Sequence, residues 1–208
     1  MADADADLLG AERAAARPIV CLHTAPGAAD WFDQQHEDLD VVARDVPADL
    51  ATVAADPGSL ESWVEGAVTA VRSGGGGPVH VLATGGAAYG AIVLAARHPE
   101  LVVSLLLGDP ELVRTADTRA EGERAELLRT VGVPTLVIAS APELGHGNRD
   151  AQTLAGGIDN AVFVIIDGCR VPAHRERGSS FNEWVSSFTI IAEGLMALAP
   201  QRQEDVHA

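Results

Sequence analysis

Short, continuous apolar runs alternate along this chain with longer stretches in which apolar residues recur at helical spacing. The runs are rich in Val, Leu and Ile and end at turn-forming residues, which is typical of buried strands. They are apolar throughout rather than alternating, which predicts a parallel sheet covered by helices on both sides. The predicted strands cover residues 18–22, 40–44, 79–83, 101–107, 135–139 and 161–166.

The segments between these runs predict helices over residues 31–38, 60–72, 86–97, 120–130, 149–155 and 180–198. Ser59 is the predicted N-cap of the second helix, and the glycine run 74–77 is predicted to end it. Because strands and helices alternate, we expect right-handed crossovers between parallel strands. The sequence therefore predicts the α/β class, as a three-layer, doubly wound sheet of about six parallel strands.

The length of the chain fits a single domain with a substantial core, since 208 residues are too few for two. Aromatic residues make up only 4% of the chain, so the predicted core is aliphatic. We expect an acidic tail with a short helix over residues 1–16, one domain over 17–200 and a C-terminal tail over 201–208.

The net charge of the chain limits the classes of molecule that we expect it to bind. The formal net charge is −16, and all 14 basic residues are arginine. Nucleic-acid binding needs a concentrated basic surface, so we expect no nucleic-acid partner. An acidic surface is instead typical of a protein that stays soluble. Abundant Ala, Gly and Asp without lysine indicate a GC-rich source resembling an actinobacterium.

The two cysteines, Cys21 and Cys169, lie in different apolar runs and have no metal-ligand spacing. Two thiols without a secretory signal favour a reducing cytoplasm. No apolar stretch is long enough to cross a membrane. The glycine run 74–77 precedes a strand and lacks the lysine of a phosphate loop, so we interpret it as a connection. We expect a cytoplasmic protein with no membrane partner, metal or cofactor.

Ligands of doubly wound sheets bind at the carboxyl ends of the strands, so the candidate site is sought there. The residues that follow the predicted strands are 23–27, 45–47, 84–88, 108–110, 140–146 and 168–174.

Four motifs among these segments carry a resemblance. They are PIVCLHTAPG at 18–27, VHVLATGGA at 79–87 followed by AARHPELV at 95–102, VPTLVI at 133–138, and IDGCRVPAHRER at 166–177. In this order they resemble the oxyanion turn, the nucleophile elbow, the strand before the acid and the histidine loop of the α/β-hydrolases. The resemblance covers nearly the whole chain from Arg17 onward and implies an α/β-hydrolase core.

The elbow departs from the family pattern Gly-x-Ser-x-Gly. The spacing back from residues 98–100 places Gly85 at the nucleophile position, and a slip of one residue would place Gly86 there. Neither residue has a hydroxyl. Thr84 is the nearest hydroxyl, and we interpret it as a residue that lines the turn.

The histidine loop departs as well, because Arg170 precedes Val171-Pro172 where the resemblance implies a histidine. Arginine stays protonated and cannot act as a general base. Arg170 either binds a carboxylate or phosphopantetheine phosphate, or forms a surface salt bridge. His174 lies nearby, and we interpret it as a surface residue of the loop.

The resemblance implies two positions for the acid. Glu143 follows the fifth strand and Asp109 follows the fourth, and either could instead be a capping or solvated carboxylate. It also implies that the backbone N–H groups of Ala25 and Gly86 form an oxyanion hole, because these donors do not depend on side chains.

The remaining candidates are substrate-binding residues. His23 begins the first turn, Thr24 replaces a glycine that is usual in the family, and His146 follows the fifth strand; Arg170 and His174 complete the predicted set.

The connection between residues 107 and 135 has room for only one helix, whereas family members usually insert a helical cap there. The chain also begins at what would be the family's third strand. We therefore predict six parallel strands in the order 2-1-3-4-5-6 and an open site without a lid. Such a site suits an acyl group carried on a protein or peptide.

The leading hypothesis is a non-hydrolytic acyl transferase of natural-product biosynthesis, in which a substrate supplies the nucleophile that attacks a thioester. The main alternative is a catalytically silent pseudohydrolase that binds a small molecule or a protein. A third is a cofactor-free cyclase, lyase or isomerase using His23, Asp109 or His174. A fourth is a hydrolase with a displaced triad of Thr84, His146 or His174, and Glu143. The sequence leaves the acyl donor, the acceptor and the oligomeric state open.

Overall fold

A computed structural model describes residues 17–48, 57–112, 118–143 and 149–198. Within them, six strands form one sheet in the order β2-β1-β3-β4-β5-β6, and every neighbouring pair is parallel. The strands are β1 (Ile19–His23), β2 (Val41–Asp45), β3 (Val79–Thr84), β4 (Val102–Gly108), β5 (Thr135–Ala141) and β6 (Ala161–Asp167). The predicted fold class and strand order are confirmed.

The helices among the described residues are α1 (Ala28–Trp31), α2 (Asp33–Asp38), α3 (Pro57–Gly75), α4 (Ala87–Arg97), α5 (Thr118–Thr130), α6 (Arg149–Gly157), α7 (Ala173–Glu176) and α8 (Gly178–Leu198). A 3-10 turn, Pro99–Leu101, precedes β4. Only residues 109–117 separate β4 from α5, which is too short a connection for a helical cap domain.

The helices form two layers because the chain reverses direction across the sheet. The step from β1 to β2 and the step from β2 to β3 run in opposite directions, so right-handed crossovers place their helices on opposite faces. Helices α3, α4, α5 and α6 cover one face, over a core of Val, Leu, Ile and Ala that also contains Trp63. Helices α1, α2, α7 and α8 lie on the other face, where Phe32 and Phe181 join an aliphatic core.

Two predicted helix boundaries are wrong. Helix α3 is already helical at Pro57, so Ser59 lies in its first turn and is not the N-cap. The same helix continues to Gly75, past its predicted last residue 72 and into the glycine run, and Gly74 lies close to Val20, where an added Cβ would be 3.0 Å from Cγ2. The helix predicted over 31–38 is two helices, because Phe32 adopts φ −109 and ψ 29 between them.

Trp63 connects three elements: its own helix α3, helix α4 and the end of β2. The indole of Trp63 in α3 packs directly on Gly90 of α4, where an added Cβ would lie 2.3 Å from the ring. Its Nε1 donates a hydrogen bond of 3.0 Å to the carbonyl of Val46, just after β2. The glycine at 90 is therefore explained by packing.

Across the described ranges, none of the helices combines the length and apolar character that a membrane crossing requires.

Candidate functional site

A tight strand-to-helix turn lies at the carboxyl end of β3. Gly85 adopts φ +57, a left-handed conformation that glycine enters without steric cost, and Gly86 follows with φ −69. The N–H of Gly85 donates to the carbonyl of Gly108 at 3.0 Å, and the carbonyl of Gly85 accepts from Ala88 at 3.2 Å. The structure thus places Gly85 at the apex of the turn and Gly86 at the start of α4.

Among the described residues, the space that a side chain at residue 85 would occupy is open. Chain neighbours aside, the nearest heavy atom of these residues to a Cβ built on Gly85 is Oε1 of Glu111, at 4.0 Å. Glu111 reaches this position because its own N–H donates to the carbonyl of Gly85 at 3.0 Å. Sequence reasoning missed Glu111. Its place three residues after β4 was a signal, but the hydrogen bond that folds the loop onto the elbow was not visible in the sequence.

The turn after β1 is held from the neighbouring strand. The carboxylate of Asp45, the last residue of β2, accepts N–H bonds from Gly27 at 3.3 Å and Ala28 at 2.7 Å. The carbonyl of Thr24 accepts from Ala48 at 2.8 Å, and the Thr24 side chain is buried. Ala25 is exposed at the tip of this turn. Asp45 was also missed, although a carboxylate ending a strand beside a glycine turn is a recognisable signal.

An aromatic stack links this turn to the elbow. The rings of His23 and Trp31 lie parallel, 5.0 Å apart, and Trp31 Nε1 donates to Thr84 Oγ1 at 2.9 Å. Burial lowers the pKa of His23, and the charge of Asp45 opposes that shift. Thr84 is buried and accepts the indole hydrogen bond, which agrees with its interpretation as a residue that lines the turn.

His174 is buried, so its predicted surface position is wrong. The one-turn helix α7 carries its side chain inward, against the rings of Trp31, Phe32 and Phe181, and 1% of it is exposed. Its Nε2 lies 3.2 Å from the carbonyl oxygen of Trp31. Its Nδ1 has no hydrogen-bond partner among the described residues. Burial lowers the pKa of His174 to about 4, so the ring is neutral at pH 7.

Arg170 lies on the surface in an ion pair with Glu176. Its Nη2 is 3.2 Å from Glu176 Oε1 and 3.3 Å from Oε2, which is the local salt bridge that the sequence left as one of two interpretations. The next residue, Val171, is 60% exposed. Neither residue supplies an imidazole to the end of β6.

The buried carboxylate of Asp109 connects three elements by hydrogen bonds. Its carboxylate accepts from the N–H of Ser140 at 2.6 Å, from Ser140 Oγ at 2.8 Å and from the N–H of Ala173 at 2.6 Å. These bonds join the ends of β4 and β5 to the start of α7. None of the three donors is a histidine, so this geometry serves the fold.

The other acid candidate, Glu143, is exposed in the turn after β5. His146 lies outside the described residues. Within the described ranges, no three His, Cys, Asp or Glu residues are grouped so that they could hold a metal ion.

No protein-family model matches the chain, and neither does any curated protein. Solved structures do match. A serine hydrolase involved in carbazole degradation is 16% identical, with a TM-score of 0.66 over 84% of this chain and 91% of that one. A meta-cleavage product hydrolase from Pseudomonas fluorescens is 16% identical, with a TM-score of 0.67 over 85% and 91%. An α/β-hydrolase from a lagoon-sediment metagenome is 18% identical, with a TM-score of 0.66 over 85% and 92%.

The chain has the α/β-hydrolase fold. In this fold the nucleophile occupies the sharp turn between a strand and the helix that follows it. In this chain the two residues between β3 and α4 are Gly85 and Gly86. The α/β-hydrolase fold therefore brings the elbow turn, the first turn and the loop after β4 to one edge of the sheet.

Proposed function

We propose that this protein is a non-hydrolytic acyl transferase that moves an activated acyl group from a thioester to a nucleophile supplied by a second substrate. The observation that carries the proposal is the elbow itself. Gly85 keeps the left-handed conformation of the turn, while the space where a nucleophile would stand is open. A substrate atom can occupy that space without displacing a side chain of the described residues.

The proposed chemistry relies on positioning and on backbone donors. The substrate nucleophile attacks the thioester carbonyl, the N–H groups of Ala25 and Gly86 stabilise the oxyanion, and the C–S bond then breaks. Holding both reactants in place contributes about 7–11 kcal/mol, and one oxyanion donor contributes about 3–4 kcal/mol. A thioester is already activated, so no nucleophile from the protein is needed.

The Asp45 hydrogen bonds support the oxyanion role, because they fix the turn that contains Ala25 from both Gly27 and Ala28. A donor that is held before the substrate arrives does not need to reorganise during the reaction.

The donor in this proposal is an acyl group on a carrier or peptide of a natural-product pathway. The short connection over residues 109–117 supports this choice, because a large donor needs an edge of the sheet without a cap domain. Arg170 is exposed at the same edge and would exchange its pairing with Glu176 for the phosphate of a phosphopantetheine carrier.

The binding-module alternative also has an observation in its favour. The parallel stack of His23 on Trp31 offers an aromatic surface beside the elbow, which suits a planar ligand. The proton-transfer and displaced-triad alternatives are less well supported, because Asp109 and His174 are both buried and engaged with their neighbours.

The test mixes N-acetylcysteamine and carrier-bound thioesters with thiol, amine and alcohol acceptors and follows the products by mass. We expect transfer well above the protein-free rate, with hydrolysis as a minor product. Rates equal to the protein-free control across the whole panel would exclude the transferase and leave the binding module. Hydrolysis that exceeds transfer would instead favour a hydrolase with a displaced triad.

A further inference from the structure

Among the described residues, Glu111 has the side chain that comes nearest to the place of a Cβ on residue 85. Its Oε1 is 4.0 Å from the place of a Cβ on residue 85, and the backbone of Glu111 is fastened to the same residue by the 3.0 Å hydrogen bond to the Gly85 carbonyl. Proline at 110 restricts the backbone just before it. The backbone of Glu111 is therefore held beside the elbow, and its exposed side chain extends toward the open space.

A nucleophilic atom that lies about 1 Å closer to Glu111 than the place of that Cβ is within hydrogen-bond distance of the carboxylate, since hydrogen bonds to oxygen span about 2.7–3.2 Å. An ionised carboxylate accepts protons and hydrogen bonds but donates none. It attracts an ammonium group and leaves a neutral alcohol without a charge partner. The other carboxylate that follows β4, Asp109, is saturated by Ser140 and Ala173 and cannot take this role.

We propose that Glu111 is the general base of the site and that the acyl acceptor is a primary amine. This inference rests on the proposed acyl transfer. The ammonium group first gives one proton to water, and the neutral amine nitrogen then attacks the thioester carbonyl above Gly85 and forms the C–N bond. Its surplus proton passes to the Glu111 carboxylate. The C–S bond then breaks, the departing sulfur takes that proton, and the products are an amide and a free thiol.

The test compares amine and thiol acceptors in the wild type and in Glu111→Gln. Thiol exchange proceeds through a thiolate that needs no base, so it monitors the fold and the oxyanion donors in the same protein. We expect Glu111→Gln to slow amide formation by about a hundredfold, within the range for loss of a general base, while thiol exchange changes by less than about threefold. Glu111→Asp should recover part of the amide rate.

The matched control is Glu126→Gln, which removes the same charge from an exposed position of α5. It should leave both rates at the wild-type value. An amide-to-thiol rate ratio that is unchanged in Glu111→Gln overturns the assignment of Glu111 while leaving the acyl transfer standing.

A binding measurement separates this inference from the proposed function. Calorimetry compares N-acetylcadaverine, which carries an ammonium group, with its neutral alcohol analogue. We expect the wild type to bind the ammonium compound about threefold more tightly, as for a solvent-exposed charge pair, and Glu111→Gln to lose that preference. A preference that persists in Glu111→Gln contradicts the assignment even if no thioester is turned over.

Discussion

Features that are typical of a hydrolase site lie at both ends of the sheet, but each end has a different part of them. At the carboxyl end lies the turn between β3 and α4, where Gly85 adopts a left-handed conformation and Glu111 is the nearest described side chain to the place of a Cβ on residue 85. Near the amino end lie a serine, a histidine and a glutamate, and the histidine lies close to both of the others. His80 Nδ1 is 2.8 Å from Ser104 Oγ, and His80 Nε2 is 3.3 Å from the carboxylate of Glu193 in α8.

This second group has the residue types of a catalytic triad, but its serine and histidine are buried, so a substrate has no access to them. Ser104 of β4 is fully buried next to β3, and His80 of β3 is 1% exposed. Burial lowers the pKa of His80 even though Glu193 acts in the opposite direction. Glu193 also pairs with Arg17 at the surface. The comparison teaches that the strand-to-helix turn and the open edge define a candidate site better than a matching set of side chains does.

The largest expected effect is on the transfer rate, and it tests the oxyanion donor at the carboxyl end of the sheet. Gly86 has φ −69, which is close to the φ of proline, so Gly86→Pro removes one N–H without changing charge. Loss of that oxyanion donor should lower the thioester transfer rate by roughly a hundred- to a thousandfold. Gly86→Ala keeps the N–H and is the control, with circular dichroism used to confirm that both variants fold. If proline and alanine gave equal rates, the oxyanion role of Gly86 would be wrong.

Next in size is a contrast between the carboxylates of Asp109, which is buried, and Glu193, which is partly exposed. Asp109→Ala leaves the Ser140 and Ala173 donors without their acceptor and should lower the free energy of unfolding by about 3 kcal/mol or more. Glu193→Gln removes a partly exposed charge and should cost about 1 kcal/mol or less. Urea titrations at pH 7 measure both. Equal losses would contradict the idea that Asp109 is the structural carboxylate.

A third prediction concerns acid. The pKa of His174 is lowered to about 4 from its ordinary 6.5, so the unfolded chain binds more protons than the fold at acidic pH. Stability is therefore retained above pH 6.5 and lost as the pH falls toward 4, by up to about 3 kcal/mol from this residue. His80 contributes with the same sign at the other end, since its pKa is also lowered.

His174→Phe places an aromatic ring among Trp31, Phe32 and Phe181 and should flatten that part of the pH dependence. His36→Gln, at an exposed position of α2, should leave the slope unchanged. Urea titrations at several pH values between 4 and 7 measure the slope. A slope in His174→Phe as steep as in the wild type would place the acid sensitivity elsewhere.

The smallest expected effect lies at the amino end. Ser104→Ala removes one buried hydrogen bond to His80 and should lower the free energy of unfolding by about 1 kcal/mol, with no change in transfer rate. A serine-directed phosphonate should label neither Ser104 nor residues 84–88. Stoichiometric labelling of Ser104, located by peptide mass, would falsify the contrast between the two ends.

The sheet could be predicted because every strand is a continuous apolar run whose burial does not depend on detail. The strand order followed from the same runs together with the resemblance. The end of α3 could not, because Gly74 lies inside the helix and packs close to Val20, which is far away in sequence. Local residue preferences contain no information about such a contact.

The candidate site was only partly predictable for the same reason. Gly85 and Gly86 could be placed by counting residues from a neighbouring motif. The burial of His174 depends on rings contributed by α1, α8 and Phe32, and the position of Glu111 depends on one backbone hydrogen bond. Both are tertiary effects that no pattern within the loop reveals.

The hydrogen bond from Trp31 to Thr84 fixes one indole beside the elbow, where its fluorescence can report ligand binding. Trp31 is half-buried beside the elbow, between the stacked ring of His23 and the guanidinium of Arg175 at 5.6 Å. The other two tryptophans differ in environment, since Trp63 is buried in the opposite layer and Trp184 is exposed on α8. A ligand that settles at the elbow alters the surroundings of one indole alone, so the emission spectrum can register occupancy without any attached dye.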